Sequence, residues 1–543
     1  MQDLTPSFAA IAGLGGICYH QSPSSDQALF PYQGQRPTSR GTMRRTLCWV
    51  VAAGSLALMA CHDATEPPHI PQGPPTLALS AGDTTLLVDE TLALSATAED
   101  GDGQPIPNPS ITWRSSAPTV ASMDDSGHVT ALTFGSATLT ATMGEVAVRL
   151  TVTVVPQFTQ IATGGMHSCG ITGRGELYCW GLSSNGALGP ATDLLDCSDR
   201  YGYYVKCSPV PILSSDLRAV AITAGGEHTC ALDATGTAFC WGANYAGQAG
   251  TGSEAELLVL APTPVAGGHQ FTEIVAGTAH TCGITASRDA YCWGWDDVGQ
   301  LGVGDVSAER CYFQPCSRTP RLVAGGHEWA QLSATDRATC GVTTAGELYC
   351  WGKDVGGSDG MYCESPDNLV GCTHTPILIA SSKSYKASGI GNVHRCEQAV
   401  DDTLDCWGAN SSGAFGNGTS DTYSSTPVTA AGGASYASFV ATRTGNCALT
   451  SDGRAQCWGR GAEGQIGNGS LEDALTPADV SGGYHFVSLA SSGTSDFVCG
   501  IADTGRAYCW GLGGYAQLGD NEYFSRDEPS LVRLAPRPSV IRR

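Results

Sequence analysis

The sequence predicts an all-β protein, a seven-bladed β-propeller that follows a small β-sandwich. Its 543 residues include 70 glycines and 28 prolines but only 15% charged side chains, which is typical of short strands joined by tight turns. A Cys-Trp-Gly triplet recurs seven times at intervals of 51 to 61 residues, which fits one four-stranded blade per copy. Between residues 76 and 155 apolar and polar residues alternate in short runs, as they do in an antiparallel sandwich.

Charge and cysteine content narrow the class of protein. With 51 acidic against 28 basic residues the formal charge is −23, and no stripe of Lys and Arg compensates it, so we predict no nucleic-acid partner. The 23 cysteines form neither Cys-x-x-Cys pairs nor Cys/His clusters at zinc spacing. This pattern favours disulfides in an oxidising compartment, and we predict neither a metal nor another cofactor.

An export signal lies inside the chain, over residues 43–60. A positive Met-Arg-Arg at residues 43–45 precedes an apolar run that is too short to span a membrane. The run ends in Leu58-Met59-Ala60-Cys61, which resembles a bacterial lipobox. The resemblance implies that residues 43–60 are a lipoprotein signal peptide and that Cys61 carries diacylglycerol, in a Gram-negative host most simply at the outer membrane. The alternative is an ordinary secretory signal. We predict that translation starts at Met43 and that residues 1–42 are a mis-assigned upstream segment.

Two segments separate this signal from the repeats. Residues 61–75 are rich in proline and predict a semi-rigid tether. Residues 76–155 contain Ile111–Ala121 (ITWRSSAPTVA), Ser126–Val129 (SGHV) and Gly135–Leu139 (GSATL), which are similar to the bacterial immunoglobulin-like domain of group 2. This resemblance implies an immunoglobulin-like β-sandwich with Trp113 as its buried strand aromatic, and a spacer or adhesive role.

Each Cys-Trp-Gly triplet has a second cysteine ten residues before it. If the two cysteines face each other across a hairpin, a three-residue loop joins the strands, and its last residue needs a left-handed conformation. Five glycines, Asp402 and Arg288 occupy that position. Opposed residues lie about 4.5 to 5.5 Å apart at Cα, within the range of a disulfide. The predicted hairpin disulfides are Cys169–Cys179, Cys230–Cys240, Cys282–Cys292, Cys340–Cys350, Cys396–Cys406, Cys447–Cys457 and Cys499–Cys509. Metal binding by these dithiols is the alternative, and no further ligand pair supports it.

Three repeats carry one extra cysteine pair each, in the connection that follows Trp-Gly. The predicted pairs are Cys197 with Cys207, Cys311 with Cys316, and Cys363 with Cys372. Seven hairpin pairs and three loop pairs use twenty of the 23 cysteines, and the others are Cys18, Cys48 and Cys61. No unpaired thiol is therefore expected in the mature propeller.

The repeats resemble the regulator of chromosome condensation family. Residues 224–232 (AGGEHTCAL), Gly236 and residues 240–250 (CWGANYAGQAG) carry the resemblance, together with Gly-Gln-Leu-Gly at 299–302 and Gly-Gln-Ile-Gly at 464–467. It covers about residues 157–536 and implies a seven-bladed propeller. The name-giving member of the family acts on a small GTPase, so a nucleotide-exchange regulator is one alternative function. Secreted bacterial propellers of the same repeat family inhibit β-lactamases, which makes an enzyme inhibitor another.

Histidines recur at one repeat position, in His167, His228, His280 and His394. A propeller would array them around its axis, where a metal ring is conceivable. The equivalent positions of the other three repeats hold Ala338, Gly445 and Phe497, so we predict that the histidines form structural hydrogen bonds instead.

We also predict structural roles for the tryptophans of the triplets and exposed positions for two pairs of acidic residues. The Trp of every triplet stands at the same blade position, which favours packing between blades over stacking with a ligand. The acid pairs Asp296-Asp297 and Asp401-Asp402 fall in predicted turns, where we expect solvated charge.

No catalytic motif occurs in the chain, so we predict no enzymatic activity. The expected function is a monomeric, non-catalytic binding scaffold on the cell envelope, held to the membrane by its lipid anchor alone, whose loops contact a protein or a glycan. The cysteine-locked loops 196–208, 309–317 and 362–373 are the expected contact regions because cross-linking pre-organises a binding surface. Their aromatic residues are the partner-binding candidates: Tyr201, Tyr203, Tyr204, Tyr312, Phe313 and Tyr362.

Overall fold

The computed structural model describes residues 73–533, apart from residues 184, 192–193, 199–203, 306, 354–371, 380–382, 421 and 431–432. All of them belong to one compact unit, Ile70–Arg543. Strands dominate, and the helical content of the described residues is a 3-10 turn at Ser411–Gly413. Within these ranges, no helix has the length and apolar character of a membrane span. The predicted signal peptide, Cys61 and most of the tether lie outside the described residues.

The first nine strands form a small sandwich. A four-stranded sheet has the order β2-β9-β8-β5, a three-stranded sheet the order β3-β7-β6, and β1 pairs with β4. The pairing of β2 with β9 is parallel and the others are antiparallel. The strands are β1 (Thr76–Leu79), β2 (Thr84–Leu87), β3 (Thr91–Ala93), β4 (Ala96–Glu99), β5 (Thr112–Ser115), β6 (Ala121–Met123), β7 (His128–Ala131), β8 (Gly135–Met143) and β9 (Val146–Val155).

Alternation along β8 and β9 builds the core of this sandwich. Leu139, Leu150 and Val152 are buried, and their strand neighbours point outward, which is the period-two pattern that the sequence shows. Trp113 on β5 packs against this core but is only partly buried. The aromatic therefore covers one side of the core instead of filling its centre.

Seven four-stranded sheets follow, each made of consecutive strands in the order A, B, C, D. Blades 1 and 3 have one additional short strand each, β13 and β22, beside strand D. The prediction of an all-β chain with a seven-bladed propeller is confirmed. In chain order the strands are β10 (Phe158–Thr163), β11 (His167–Thr172), β12 (Leu177–Leu182), β13 (Leu195–Ser198) and β14 (Tyr204–Ser215) in blade 1; β15 (Ala219–Ala224), β16 (His228–Asp233), β17 (Ala238–Ala243) and β18 (Leu258–Pro264) in blade 2; β19 (Phe271–Ala276), β20 (His280–Thr285), β21 (Ala290–Trp295), β22 (Arg310–Cys311) and β23 (Gln314–Leu322) in blade 3; β24 (Trp329–Ala334), β25 (Ala338–Thr343), β26 (Leu348–Lys353) and β27 (Cys372–Leu378) in blade 4; β28 (Tyr385–Ile390), β29 (His394–Ala399), β30 (Leu404–Ala409) and β31 (Tyr423–Thr429) in blade 5; β32 (Ser438–Ala441), β33 (Gly445–Leu449), β34 (Ala455–Gly459) and β35 (Ala474–Asp479) in blade 6; and β36 (Phe486–Ala490), β37 (Phe497–Ala502), β38 (Ala507–Gly511) and β39 (Arg526–Leu531) in blade 7.

This antiparallel order gives the ring two distinct faces. The first strand of every blade lines a central channel, so strand D is outermost. The A–B and C–D connections then emerge at one face, which we call the upper face, and the B–C and D–A connections emerge at the other, the lower face.

The B–C hairpins have the predicted three-residue loop. In blade 1 the N–H of Thr172 donates to the carbonyl of Glu176 and the N–H of Gly175 donates to the carbonyl of Thr172, and the other blades repeat both bonds. The last loop residue is left-handed in all seven blades, with φ of +69° for Arg288 and +71° for Asp402. The two residues other than glycine at this position thus adopt the glycine conformation.

The paired cysteines stand directly opposite each other across these hairpins, as Cys169 does to Cys179. All seven pairs are bonded, with Cα atoms 4.0 to 4.1 Å apart. Each pair occupies the narrow, non-hydrogen-bonded position of the ladder, where about 4.5 Å is typical, and the observed separation is slightly shorter still. The loop pairs Cys197–Cys207 and Cys311–Cys316 are bonded as well. Cys372 is disulfide-bonded, and its predicted partner Cys363 lies outside the described residues.

The tryptophans of the triplets join neighbouring blades, as predicted. Each is buried, and six donate an indole N–H to a carbonyl in the C–D loop of the preceding blade, at 2.9 to 3.1 Å. Trp293, for example, donates to Gln248, and a side chain on Gly250 would collide with its ring. Gly250, the last residue of Gly-Gln-Ala-Gly at 247–250, therefore has no side chain because the indole of the next blade packs against it.

The same bond closes the ring between the last and first blades. Trp180 of blade 1 donates to the carbonyl of Gln517 in blade 7, and Ser168 donates to the same oxygen at 2.9 Å. Strand β39 is the outer strand of blade 7. No strand is exchanged between blades 7 and 1 among the described residues, so side-chain packing and these bonds hold the closure.

Candidate partner-binding face

A cysteine-locked hairpin of blade 3 rises from the upper face. Strands β22 and β23 pair through Arg310 with Pro315 and Cys311 with Gln314, which leaves Tyr312 and Phe313 as a two-residue turn. The Tyr312 side chain is 61% exposed and that of Phe313 is 93% exposed. This is one of the three contact regions that the sequence predicts.

The backbone of this turn is unusual for its residues. Tyr312 has φ of +44° and Phe313 has φ of +68°, so both lie in the left-handed region. Two-residue turns of this type favour Asn-Gly because a bulky side chain at positive φ is strained, by about 1 kcal/mol or more for each residue. The disulfide Cys311–Cys316, with Cα atoms 5.7 Å apart, holds the strands at the base of the turn. Strain of this kind, maintained by its surroundings, is typical of functional sites.

Two further aromatic side chains stand beside the turn. The ring of Tyr245, in the C–D loop of blade 2, meets that of Tyr312 edge-on at a centroid distance of 6.4 Å. It meets the ring of Trp295 at 5.9 Å. We call Tyr245, Trp295, Tyr312 and Phe313 the aromatic corner. Neither Tyr245 nor Trp295 was singled out from the sequence, because a loop of blade 2 and a strand end of blade 3 meet only in the folded ring.

A carboxylate adjoins this corner. The hydroxyl of Tyr245 donates to Oε2 of Glu227, in the A–B loop of blade 2, at 3.1 Å. Burial, followed by the charge of Glu227, raises the pKa of Tyr245, so the phenol stays protonated and keeps donating. The corner therefore combines apolar ring faces with a negative edge.

The other predicted contact residues are only partly covered by the structure. Tyr201, Tyr203 and Tyr362 lie outside the described residues. Tyr204 begins β14, and its side chain is outside the described part of the chain. Among the candidates, the structure thus brings Tyr312 and Phe313 together.

The recurring histidines connect blades below the upper face. Nε2 of His167 lies 2.9 Å from the hydroxyl of Thr229 in the next blade, and His228 and His280 repeat this contact with Thr281 and Thr339. Since the Thr229 hydroxyl donates to the carbonyl of Ala187, it accepts from the imidazole. These three histidines therefore support the threonine that binds the same carbonyl as the next blade's tryptophan, whereas His394 does not make this contact.

Burial keeps these imidazoles neutral. It lowers the pKa of His167, His280 and His394 to about 4, and that of His228 to about 3 with help from its two neighbouring histidines. The described residues contain no group of three or more potential metal ligands.

Two of the three blades without histidine support the structural interpretation, whereas the third, with Phe497, precedes a blade that offers the hydroxyl of Ser168. Ala338 and Gly445 precede blades that offer Arg395 and Val498, instead of a hydroxyl or amide, at the receiving position. The histidine is therefore absent from two blades whose neighbour has no suitable acceptor.

Asp296 corrects the prediction of solvated acids. It is fully buried, and its carboxylate accepts hydrogen bonds from the backbone N–H groups of Leu301 and Ser307 at 3.3 and 3.2 Å. Asn244 and Asn410 hold the equivalent loops of blades 2 and 5. Burial raises the pKa of Asp296 to about 7. The prediction was wrong because the sequence of a turn does not show whether its backbone folds around an acidic side chain or leaves that side chain in solvent.

The central channel has a cavity of about 320 Å³ lined by the first strands of all seven blades. Hydroxyls such as those of Thr163, Ser333 and Ser388 alternate there with aliphatic side chains, and none of the described residues that line the cavity is charged. Behind Ser388 the carboxyl of Glu397 is buried, and burial raises its pKa well above the usual range. We assign no chemistry to the channel.

The sandwich contacts the lower face at the junction of blades 7 and 1. Arg174, in the B–C loop of blade 1, donates to both carboxylate oxygens of Asp89, at 2.8 and 3.1 Å. Arg506, in the B–C loop of blade 7, donates to the carbonyl of Thr85 at 3.0 Å. Part of the lower face is thus covered, whereas the aromatic corner lies on the upper face.

These features define a disulfide-stapled, seven-bladed propeller joined to an immunoglobulin-like module. Residues 119–499 match the RCC1-like domain model, and residues 75–154 match the bacterial Ig-like domain (group 2) model. The chain belongs to the RCC1-like domain family, as its repeats predict.

Known proteins agree with this membership. The chain is 26% identical over 382 residues to the ultraviolet-B receptor UVR8 of Arabidopsis thaliana, which covers 68% of this chain and 81% of that protein. It is 25% identical over 346 residues to the human regulator of chromosome condensation, covering 61% and 79%. The match to the human E3 ubiquitin-protein ligase HERC2 is 29% identical and covers 68% of this chain, but it spans only 7% of that protein.

Solved structures show the same fold. Prp20p from Saccharomyces cerevisiae superposes with a TM-score of 0.56 at 19% identity, covering 68% of this chain and 88% of that one. Human WBSCR16 gives a TM-score of 0.52 at 20% identity, covering 64% and 87%. At these identities the likeness concerns the fold alone.

Proposed function

We propose that the protein is a non-catalytic binding scaffold of the bacterial cell envelope whose partner, a protein or a glycan, docks on the upper face at Tyr312 and Phe313. The observation that carries this proposal is the blade 3 turn. Two large aromatic residues are held there in left-handed conformations and are exposed to solvent, which neither the fold nor its core requires. An exposed, pre-organised aromatic pair is typical of a binding hot spot.

The cellular location has separate support. Paired cysteines and a bacterial Ig-like domain are typical of extracellular or envelope proteins. The lipobox at residues 58–61 supports anchoring through Cys61. Radiolabelled palmitate incorporated by wild-type protein but not by a Cys61→Ser variant would test the anchor directly.

The proposed absence of catalysis rests on the roles of the titratable groups. The buried histidines support blade contacts, and Asp296 organises its own loop. A strongly shifted pKa often marks a catalytic residue. In these groups the shift accompanies a structural role, so it does not indicate an active site.

The partner site is tested by capture from envelope extracts with the full-length mature protein. We compare wild type with the double variant Tyr312→Ala/Phe313→Ala and with Phe524→Ala. Phe524 is the matched control because it is 66% exposed and lies in the C–D connection of blade 7, on the same face. Wild type and control should retain one common partner, and the double variant should lose it without a change in Tm. Retention by the double variant would refute the site.

Guanine-nucleotide exchange is a second candidate, because the chain belongs to the RCC1-like domain family and some members act as exchange factors. The assay is release of fluorescent GDP from a panel of bacterial small GTPases. Our proposal expects no acceleration by the mature protein, and an acceleration above the spontaneous rate would favour exchange.

A further inference from the structure

The upper face is negatively charged around the aromatic corner. Glu254 and Glu256 are exposed in the C–D loop of blade 2, where the carbonyl of Glu256 accepts from Asn244, the residue before Tyr245. Asp336 lies half-buried in the A–B loop of blade 4. Within the described ranges, these three carboxylates have no ion-pair partner.

The basic side chains of the same region are already engaged. Arg318 bonds Glu309 at 2.5 Å, and Arg337 bonds Asp297 at 3.1 Å, which also places the loop that contains Asp336 beside the one that follows Trp295. Arg310 donates to the carbonyl of Ser307 at 2.5 Å, and because this acceptor is neutral the charge of Arg310 is not offset. One arginine charge therefore stands against the three unpaired carboxylates of Glu254, Glu256 and Asp336, which leaves a surplus of negative charge on the loops around the aromatic corner.

Both features attract the same chemistry. The faces of Trp, Tyr and Phe rings favour guanidinium and ammonium groups, and arginine stacks on them particularly well. Unpaired carboxylates attract the same cations, and the formal charge of −23 on the whole chain draws a cationic partner toward the surface. A neutral glycan would use the rings but gain nothing from the charge.

We propose that the aromatic corner docks an arginine- or lysine-bearing segment of a protein partner. The cationic side chains stack on Tyr312 and Phe313 while Glu256 and Asp336 bind them from the rim. This inference rests on the proposed binding function and adds the chemical class of the partner to it.

The test uses a random twelve-residue peptide library, displayed on phage and selected on the immobilised full-length protein. The expected result is that selected peptides carry net positive charge. A synthetic selected peptide is then compared with its counterpart in which every Arg and Lys is replaced by Gln, by fluorescence anisotropy at low and high salt. We expect the Gln peptide to bind about tenfold more weakly, and the affinity of the original to fall as salt screens the charges.

Variants of the protein separate the two levels of the proposal. Phe313→Ala should weaken the selected peptide about tenfold, and Glu256→Gln/Asp336→Asn should weaken it several-fold, about threefold or more. Phe524→Ala and Glu145→Gln, at the tip of the β8–β9 hairpin, are matched controls that should leave the affinity unchanged.

Two outcomes overturn the inference in distinguishable ways. If selected peptides are neutral or acidic but still require Phe313, the docking site stands and the cationic chemistry is wrong. If binding is indifferent to Phe313 whatever the peptide charge, both this inference and the proposed binding site fail.

Discussion

Replacing Cys282 and Cys292 together by alanine removes the hairpin disulfide of blade 3 and leaves the six other hairpin disulfides in place. The bond closes a loop of about eleven residues, so the chain-entropy model gives a stabilisation of about 2.7 kcal/mol. The two sulfurs are fully buried, and the gap that they leave adds about 1 kcal/mol. We therefore expect the free energy of unfolding to fall by 3 to 4 kcal/mol, as an order-of-magnitude figure.

The assay is thermal unfolding of the oxidised protein, followed by near-ultraviolet circular dichroism. A propeller of about 375 residues has an unfolding entropy near 0.8 kcal/mol/K, so this loss lowers Tm by about 4 to 5 °C. Unfolding in saturating reductant is the control, because there the wild type has lost the same bond and only the packing difference of about 1 °C remains. If the oxidised variant had the same Tm as the oxidised wild type, the disulfide would not stabilise the blade as argued. A Tm difference of about 4 to 5 °C that persists in reductant would also refute the argument, because the disulfide is then absent from both proteins.

Three other variants probe buried groups. Acidification from pH 7 to 5 should lower Tm, because His228 has its pKa lowered to about 3 by burial and gains a proton only on unfolding; His228→Gln should show a smaller loss over this range in a pH series. Glu397→Gln should raise stability at pH 8 and have little effect at pH 4, since the raised pKa of Glu397 means that wild-type stability is lost as pH rises; urea unfolding at both pH values tests this sign. Trp293→Phe removes the bond to Gln248 and part of the indole packing, so we expect the free energy of unfolding in urea to fall by about 2 to 3 kcal/mol. An unchanged urea midpoint would contradict the role of this bond in joining the two blades.

Much of the propeller is readable from the sequence because its determinants are local and repeated. The spacing of Cys169 and Cys179 fixes the hairpin register, and the left-handed loop position follows from that register alone. Even Arg288 and Asp402, which break the glycine pattern, adopt the same backbone. Seven copies of a local rule therefore predict the architecture without any knowledge of long-range contacts.

Some of the features that the sequence does not reveal are formed between repeats, and others depend on how a single loop folds. The bond from Trp293 to Gln248 joins residues 45 positions apart, and nothing in either repeat alone indicates it. The burial of Asp296 depends on how its loop folds back over the carboxylate, and the contact of Tyr245 with Tyr312 joins two different blades. Loop composition pointed to Tyr312 and Phe313 as contact residues, but their left-handed backbone is visible only in the structure.

The most direct test of the stapled propeller is the number of free thiols in the mature protein. Denaturation without reductant, alkylation with N-ethylmaleimide and intact-mass measurement count them in one experiment. Because nine cystines are formed among the described residues and Cys372 is also bonded, we predict that no propeller cysteine is alkylated. A mass increase that corresponds to about twenty labels would contradict the hairpin staples and the oxidising compartment that they require.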